Sequence, residues 1–476
     1  MTTDEQNQHS DDTTSDAGPA ALREDLSSQR ERILEELAAL VEIPSVAWDV
    51  HDAGEVWRSA RAVAQLAEEA GLPEVEILTS ARPDGEQGMP AVVARRRAAP
   101  GRPTVMLYAH HDVQPVSDPG EWKTEPFRAT PVGDRLYGRG AADDKAGIMV
   151  HIAAVRALLR LHGQEPGVGI TLFVEGEEEA GSPSFENFLH EHREKLAADA
   201  IVVADSANWK RGVPALTSSL RGVISGTVRL RALGHALHSG VFGGPLVDAN
   251  VAMIRLLATL HDEDGAVAVP GLVRSADPEL DYPERDFRDD AGIPESLRLA
   301  GRGSIASRLW SQPALSVIGM DVTPVEQSSN TLAASARARV SLRLAPGQDP
   351  HEAHRLLEEH LRANAPWGAE VEYDAGEAGR PFEADTSSPA ARAVLASMRQ
   401  AWGVEPVLTG LGGSIPFVAS LVETFPEAAI LITGVEDPDT RAHSANESLY
   451  LPDFFKAAEA EAAFLHGMAA SPEAGE

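Results

Sequence analysis

ITLFVEGEEEAGS, residues 170–182, runs from five apolar or β-branched residues straight into Glu175, Glu177, Glu178 and Glu179. Four carboxylates within five positions repel one another. On a solvated loop such a cluster serves only solubility. Here it ends a segment that reads as a buried strand. In open α/β sheets, ligands collect beyond the carboxyl ends of the strands. The segment therefore predicts an α/β sheet whose strand ends face something positively charged.

Other apolar strands end in similar residues. VMLYAHHD, residues 105–112, places His110 and Asp112 on one side of an extended chain. A carboxylate or carbonyl commonly fixes the far nitrogen of a metal-binding imidazole, although a loop histidine satisfied by its neighbours reads the same way. VVAD, 202–205, ends on Asp205, which could equally be a cap. GRGAADDKAG, 138–147, leads into a helix; one of Asp143 and Asp144 could cap it, but hardly both. RAHSANE, 441–447, puts His443 on a loop after a strand at 429–433.

The spacing predicts helices at 26–41, 55–70, 148–161, 185–192, 389–402 and 452–465, with Gly71 capping the second. Strands are expected at 75–78, 91–95, 104–109, 170–174, 201–204 and 429–433. Strands alternating with helices give an α/β layer with helices on both faces. Between 214 and 380 the texture changes. Residues 223–233 and 336–344 alternate cleanly, as half-buried antiparallel strands do. With helices at 247–260 and 351–363 and a strand at 370–373, they predict an α+β ferredoxin-like sandwich, interrupted by an irregular 261–312. The expected organisation is a polar tail at 1–20, a discontinuous first domain at 21–213 and 381–476, and an insert at 214–380.

Composition narrows the chemistry. Among 476 residues there is no Cys, so any metal is held by His and carboxylates, and thiol nucleophiles are excluded. A net charge of −32 argues against nucleic acid or anionic membranes as partners. The N-terminus has neither a basic nor an apolar signal region, and a cytoplasmic location is expected. There is no HExxH, no GxSxG and no GxxxxGK[ST]; His351 and His354 have the wrong spacing for the first.

YAHHDVQP, GRGAADDKAG, EGEEEAGS, VVADS, HSGVFGG, GGSIP and AHSANE, taken in order, resemble the co-catalytic zinc exopeptidases that include carnosinase-like dipeptidases, aminoacylases and desuccinylases. DVQP with the Asp-Asp-Lys run is most similar to the dipeptidase branch. The resemblance implies a catalytic domain with a mixed sheet between helices and an inserted lid that also dimerises. It implies two divalent ions per subunit, zinc first, with manganese or cobalt as alternatives. His110 and Asp205 would bind one ion, Glu179 and His443 the other, and Asp143 both. Asp112 would orient His110, and Glu178 would be the general base. The Asp143–Asp144 peptide would be cis.

In the lid, the resemblance nominates His238 as an oxyanion donor reaching the other subunit of a homodimer. Arg343 would bind the free C-terminal carboxylate of a small peptide, which a bidentate guanidinium suits. Asn330, Gly413 and Ser414 are further substrate-binding candidates. Two departures stand out: Gly410-Leu411 replaces an Arg-Glu common before GGSIP, and no Pro follows Asn330. The reading that follows is a metal-dependent dipeptidase. Its rivals are an N-acyl amino acid deacylase using the same centre and a metal-binding scaffold without catalysis.

Overall fold

The computed structural model describes residues 17–470 except Ser117 and Ser414. The chain divides into two compact units. One comprises 17–217 with Asp385–Val407 and 420–470; the other comprises Ser218–Ala384 and Leu408–Ala419.

The first unit is built on a mixed sheet in the order Glu74–Leu78, Ala91–Arg96, Gly169–Glu175, Thr104–His110, Ala200–Val203, Ala429–Ile432. The first two pairings are antiparallel, and the last three are parallel. Period-two alternation sends the side chains to two apolar layers. Val105, Leu107, Ala109, Ile170, Leu172 and Val174 join the main core. On the opposite side Tyr108 and Phe173 pack against Phe185, whose ring stacks 5.9 Å from that of Phe173. Burial on both faces explains why these strands read as continuous apolar runs.

The helix Lys145–Leu161 is buried from Lys145 to Leu159, as expected of a helix enclosed on all sides. It packs against Leu451–Ala470, which also contacts Pro389–Trp402. Ala53–Ala70 shows its ends in sequence: Asp52 accepts from the Gly54 amide, and Gly71 closes the helix at φ 101°.

The second unit holds a four-stranded antiparallel sheet in the order Ala314–Asp321, Ser335–Leu344, Gly222–Arg231, Glu370–Gly379. Helices Ala249–Ala258 and Pro350–Ala363 share its core. This is the ferredoxin-like order. The outer face carries arginines neutralised by acids, such as Arg229 with Asp374 and Arg337 with Asp321.

Three expectations need correction, and one strand was not foreseen. The helix Ala17–Ser28 takes in the last four residues of the expected 1–20 tail, because Pro19 is tolerated in a first helical turn; residues 1–16 lie outside the described residues. The strand Ala314–Asp321 escaped notice because most of its side chains are exposed and it carries little alternation. The 261–312 segment contains a helix, Glu284–Ala291. Residues Leu408–Ala419 group with the second unit, since Thr409 and Leu411 bond to Ser218 and Arg221.

Candidate metal centre

Four parallel strands deliver their carboxyl ends to one edge of the first unit. His110 is the last residue of its strand and lies opposite Glu175 in register. Asp205 follows Ala200–Val203 by two residues, and His443 lies on the loop after Ala429–Ile432. Asp143 precedes the helix Lys145–Leu161, and the Asp143–Asp144 peptide is cis.

These residues meet. One oxygen of Asp143 lies 3.1 Å from His110 Nε2, and the other lies 3.1 Å from His443 Nε2. His443 Nε2 is also 3.2 Å from Glu179 Oε2. Two clusters result, His110–Glu178–Asp205 and Asp143–Glu179–His443, each with its ligand atoms within 4.8 Å of one another. The far nitrogen of His110, Nδ1, is 3.2 Å from the carbonyl oxygen of Asp112 and 3.4 Å from its carboxylate. The same carboxylate accepts the backbone amides of Glu178 at 3.1 Å and Glu179 at 3.0 Å.

The acidic run at 175–179 divides by partner. Glu177 accepts from Ser184, Met89 and Arg82, so it ties down its loop. Glu175 accepts from the Tyr108 hydroxyl at 2.6 Å, and burial pushes its carboxyl up to about 8. Only Glu178 and Glu179 join the clusters.

Sequence reading missed several residues that hold this arrangement. Glu447 is fully buried and receives the amides of Gly140, Ala142 and Asp143 together with Arg139 Nη1. It thereby binds the loop carrying His443 to the loop carrying Asp143. Its place inside AHSANE was the available signal. Gln114 donates to Glu179 Oε2 at 2.7 Å, and Asp144 accepts the His110 amide at 3.1 Å. Glu436 adds a carboxylate near Asp143 and Asp205, and burial together with those charges raises its affinity for a proton. His111 donates from Nε2 to Pro90 O at 2.8 Å, and burial lowers it to about 4.

The electrostatics are those of a site built for cations. Burial raises Glu178 well above the usual carboxylate range, with Asp205, Asp112 and Glu179 adding to it against His110. Burial also lifts Asp205 to about 6. Hydrogen bonds to Asp143 and Glu179 push His443 up to about 11. Burial works to raise Asp143, but its bonds to both histidines override that and hold it below the usual range. The protein alone must gather protons to offset these carboxylates. Divalent ions bound by His and carboxylate, without thiolates, match the donor set.

The candidates of the second unit form two local groups. His238 pairs with Thr331 in a short ribbon, and the Asn330 carbonyl accepts the Ser239 amide. His238 Nδ1 accepts from the Gly240 amide at 3.0 Å, so within its own unit it caps a turn. Arg343 lies on Ser335–Leu344 near Arg221, which bonds to the carbonyl beside Gly413. Ser414 lies outside the described residues.

Among the described residues, no helix is long and apolar enough to cross a membrane. The chain matches the family model described as "Peptidase family M20/M25/M40" over residues 106–467. It is 32% identical over 463 residues to the cysteinylglycine-S-conjugate dipeptidase of Corynebacterium striatum, covering 95% of this chain and 99% of that one. It is 27% identical over 422 residues to the human Beta-Ala-His dipeptidase, covering 84% and 82% of the two chains. The solved dipeptidase Dug1p from Saccharomyces cerevisiae shares the fold, with a TM-score of 0.74, 23% identity and coverage of 96% and 99%. The chain therefore belongs to peptidase family M20/M25/M40, as a metallopeptidase of its dipeptidase branch.

Proposed function

We propose that this protein hydrolyses dipeptides bearing a free C-terminal carboxylate, using two divalent ions, zinc before manganese or cobalt. The supporting observation is the meeting of His110, Asp143, Glu179, Asp205 and His443 at the carboxyl edge of four parallel strands. The similar proteins named above act on dipeptides, cysteinylglycine conjugates and Beta-Ala-His.

In this reading His110 and Asp205 would hold one ion, Glu179 and His443 the other, and Asp143 would serve both. When bound, such a pair polarises the scissile carbonyl and acidifies a water. Glu178 takes the proton of the attacking water and returns it to the leaving amine, as a carboxylate placed beside His110 and Asp205 can. Asp112 positions His110 from one side and the amides of Glu178 and Glu179 from the other. In the inserted unit, His238 donates to the developing oxyanion, and Arg343 takes the substrate carboxylate with Asn330, Gly413 and Ser414 beside it.

The insert at 214–380 acts as the lid and dimerisation domain of a cytoplasmic homodimer in the same reading. Val251 and Ile254 are exposed on Ala249–Ala258, and Val317 and Ile318 on the strand Ala314–Asp321 at the edge of its sheet. An edge strand with apolar side chains invites pairing. Sedimentation of active protein as monomer alone would remove this part.

The activity itself is tested by assaying a dipeptide panel beside N-acyl amino acids with zinc, manganese or cobalt added. Cleavage of dipeptides is expected. Cleavage of the acyl compounds alone would replace this reading with a deacylase.

A further inference from the structure

We propose that Arg221 is a second cation of the carboxylate subsite in the inserted unit, acting beside Arg343 to select substrates with a free C-terminus. The proposal rests on the dipeptidase reading and adds to it a residue that the sequence reading did not single out.

Arg221 is only 8% exposed. Among the described residues its guanidinium bonds to carbonyl oxygens alone: Gly412 at 3.1 Å, Arg308 at 3.4 Å and Gln312 at 3.4 Å. Buried charges are ordinarily paired with an opposite charge. Carbonyls orient a guanidinium but leave its net charge in place. The buried arginines of the first unit differ: Arg135, Arg139 and Arg156 each meet a carboxylate, Asp437, Glu447 and Glu36.

A second guanidinium adjoins it. Arg343 is opposite Val223 in register, and Arg221 precedes Val223 by two residues, which places both arginines on one face of the sheet. Burial first, and the charge of Arg343 second, lower Arg221 to about 10. Two like charges brought side by side, Arg221 buried and Arg343 half-buried, favour an anion between or beside them.

The adjoining loop is shaped around Arg221. A Cβ on Gly412 would lie 3.0 Å from Arg221 Nη2 and 3.4 Å from Leu309 O, so glycine lets the backbone approach the guanidinium. A Cβ on Gly410 would lie 2.6 Å from Trp310 Cβ, while a Cβ on Gly413 would meet nothing within 4 Å among the described residues. Two cations thus adjoin a stretch of backbone that glycine keeps slim. A planar carboxylate, which accepts two parallel N–H bonds, fits this chemistry.

The alternative is that Arg221 only braces the loop. Hydrolysis of one dipeptide and of its C-terminal amide separates the two roles. The wild-type protein should prefer the acid. In Arg221→Gln, kcat/KM for the acid should fall roughly 10- to 100-fold, mainly through KM, the loss expected for a charged hydrogen bond. The amide has no carboxylate to lose and should fall less, so the acid-to-amide ratio collapses. Parallel loss on both substrates, with the ratio intact, would overturn the role of Arg221. Should Arg221→Gln fail to fold in a thermal melt, the same ratio is read on Arg221→Lys, which keeps charge but loses the planar fork; there an intermediate ratio supports the proposal and an unchanged one overturns it. Absence of any acid preference in the wild-type protein would sink the dipeptidase reading and this proposal together; a preference that survives in the variants sinks this proposal alone.

Discussion

The carboxylate of Asp112 lies 3.4 Å from Nδ1 of His110, on the side of the ring away from Asp143. It also accepts the amides of Glu178 and Glu179. One buried side chain thus sets the ring and the turn that present three residues of the centre. Asp112→Asn keeps the shape but turns an amide N–H₂ toward one of those donors. Metal affinity should drop on the order of 10- to 100-fold, the usual loss when the partner of a ligand is removed. Calorimetric titration of metal into the stripped variant checks this; unchanged affinity would show that the Asp112 carbonyl alone sets the ring.

Glu178 is close to His110 and Asp205 as well as to the place assigned to a general base. The two roles give different outcomes in Glu178→Gln. As base, its loss lowers kcat by roughly 10²- to 10⁴-fold and leaves the metal count unchanged. As ligand, its loss removes an ion. Metal content measured beside kcat decides between them, and full activity in the variant excludes both.

Metal binding should depend on pH with a definite sign. Without metal, Asp205 holds its proton up to about 6, against 3.8 for the free side chain. The folded state is then the more protonated, so this group's contribution to stability falls as pH rises from 3.8 toward 6. His443, raised from 6.5 to about 11, contributes stability that is complete below 6.5 and lost as pH rises through 11. Cations compete with these protons, so binding releases them and strengthens with pH. Melting temperatures with metal and with chelator should therefore diverge as pH rises from about 5 to 8. A metal-induced gain that is largest at the acid end would contradict the ligand assignment.

Much of the architecture was legible because it rests on local patterns. The apolar runs ending at His110, Val174 and Val203 betrayed doubly buried strands, and Asp52 and Gly71 marked the ends of a helix. The strand Ala314–Asp321 carries no such pattern, since Val317 and Ile318 are exposed side by side and break the alternation. Within the site, residue types at strand ends pointed to metal chemistry, while individual roles came from the resemblance. Glu447 stood inside AHSANE, but its role could not be read there, for a different reason. Its work is to accept three backbone amides some 300 positions earlier in the chain, and backbone donors leave no trace in residue type. Arg221 was hidden likewise, because its partners are carbonyls.

The most direct test is elemental analysis of the purified protein after exhaustive dialysis, read beside dipeptide hydrolysis. Two divalent ions per chain are expected, with activity lost on chelation and restored by zinc. In His443→Ala and His110→Ala the count should fall below two. Full hydrolytic activity in protein that retains no metal would contradict the dinuclear centre.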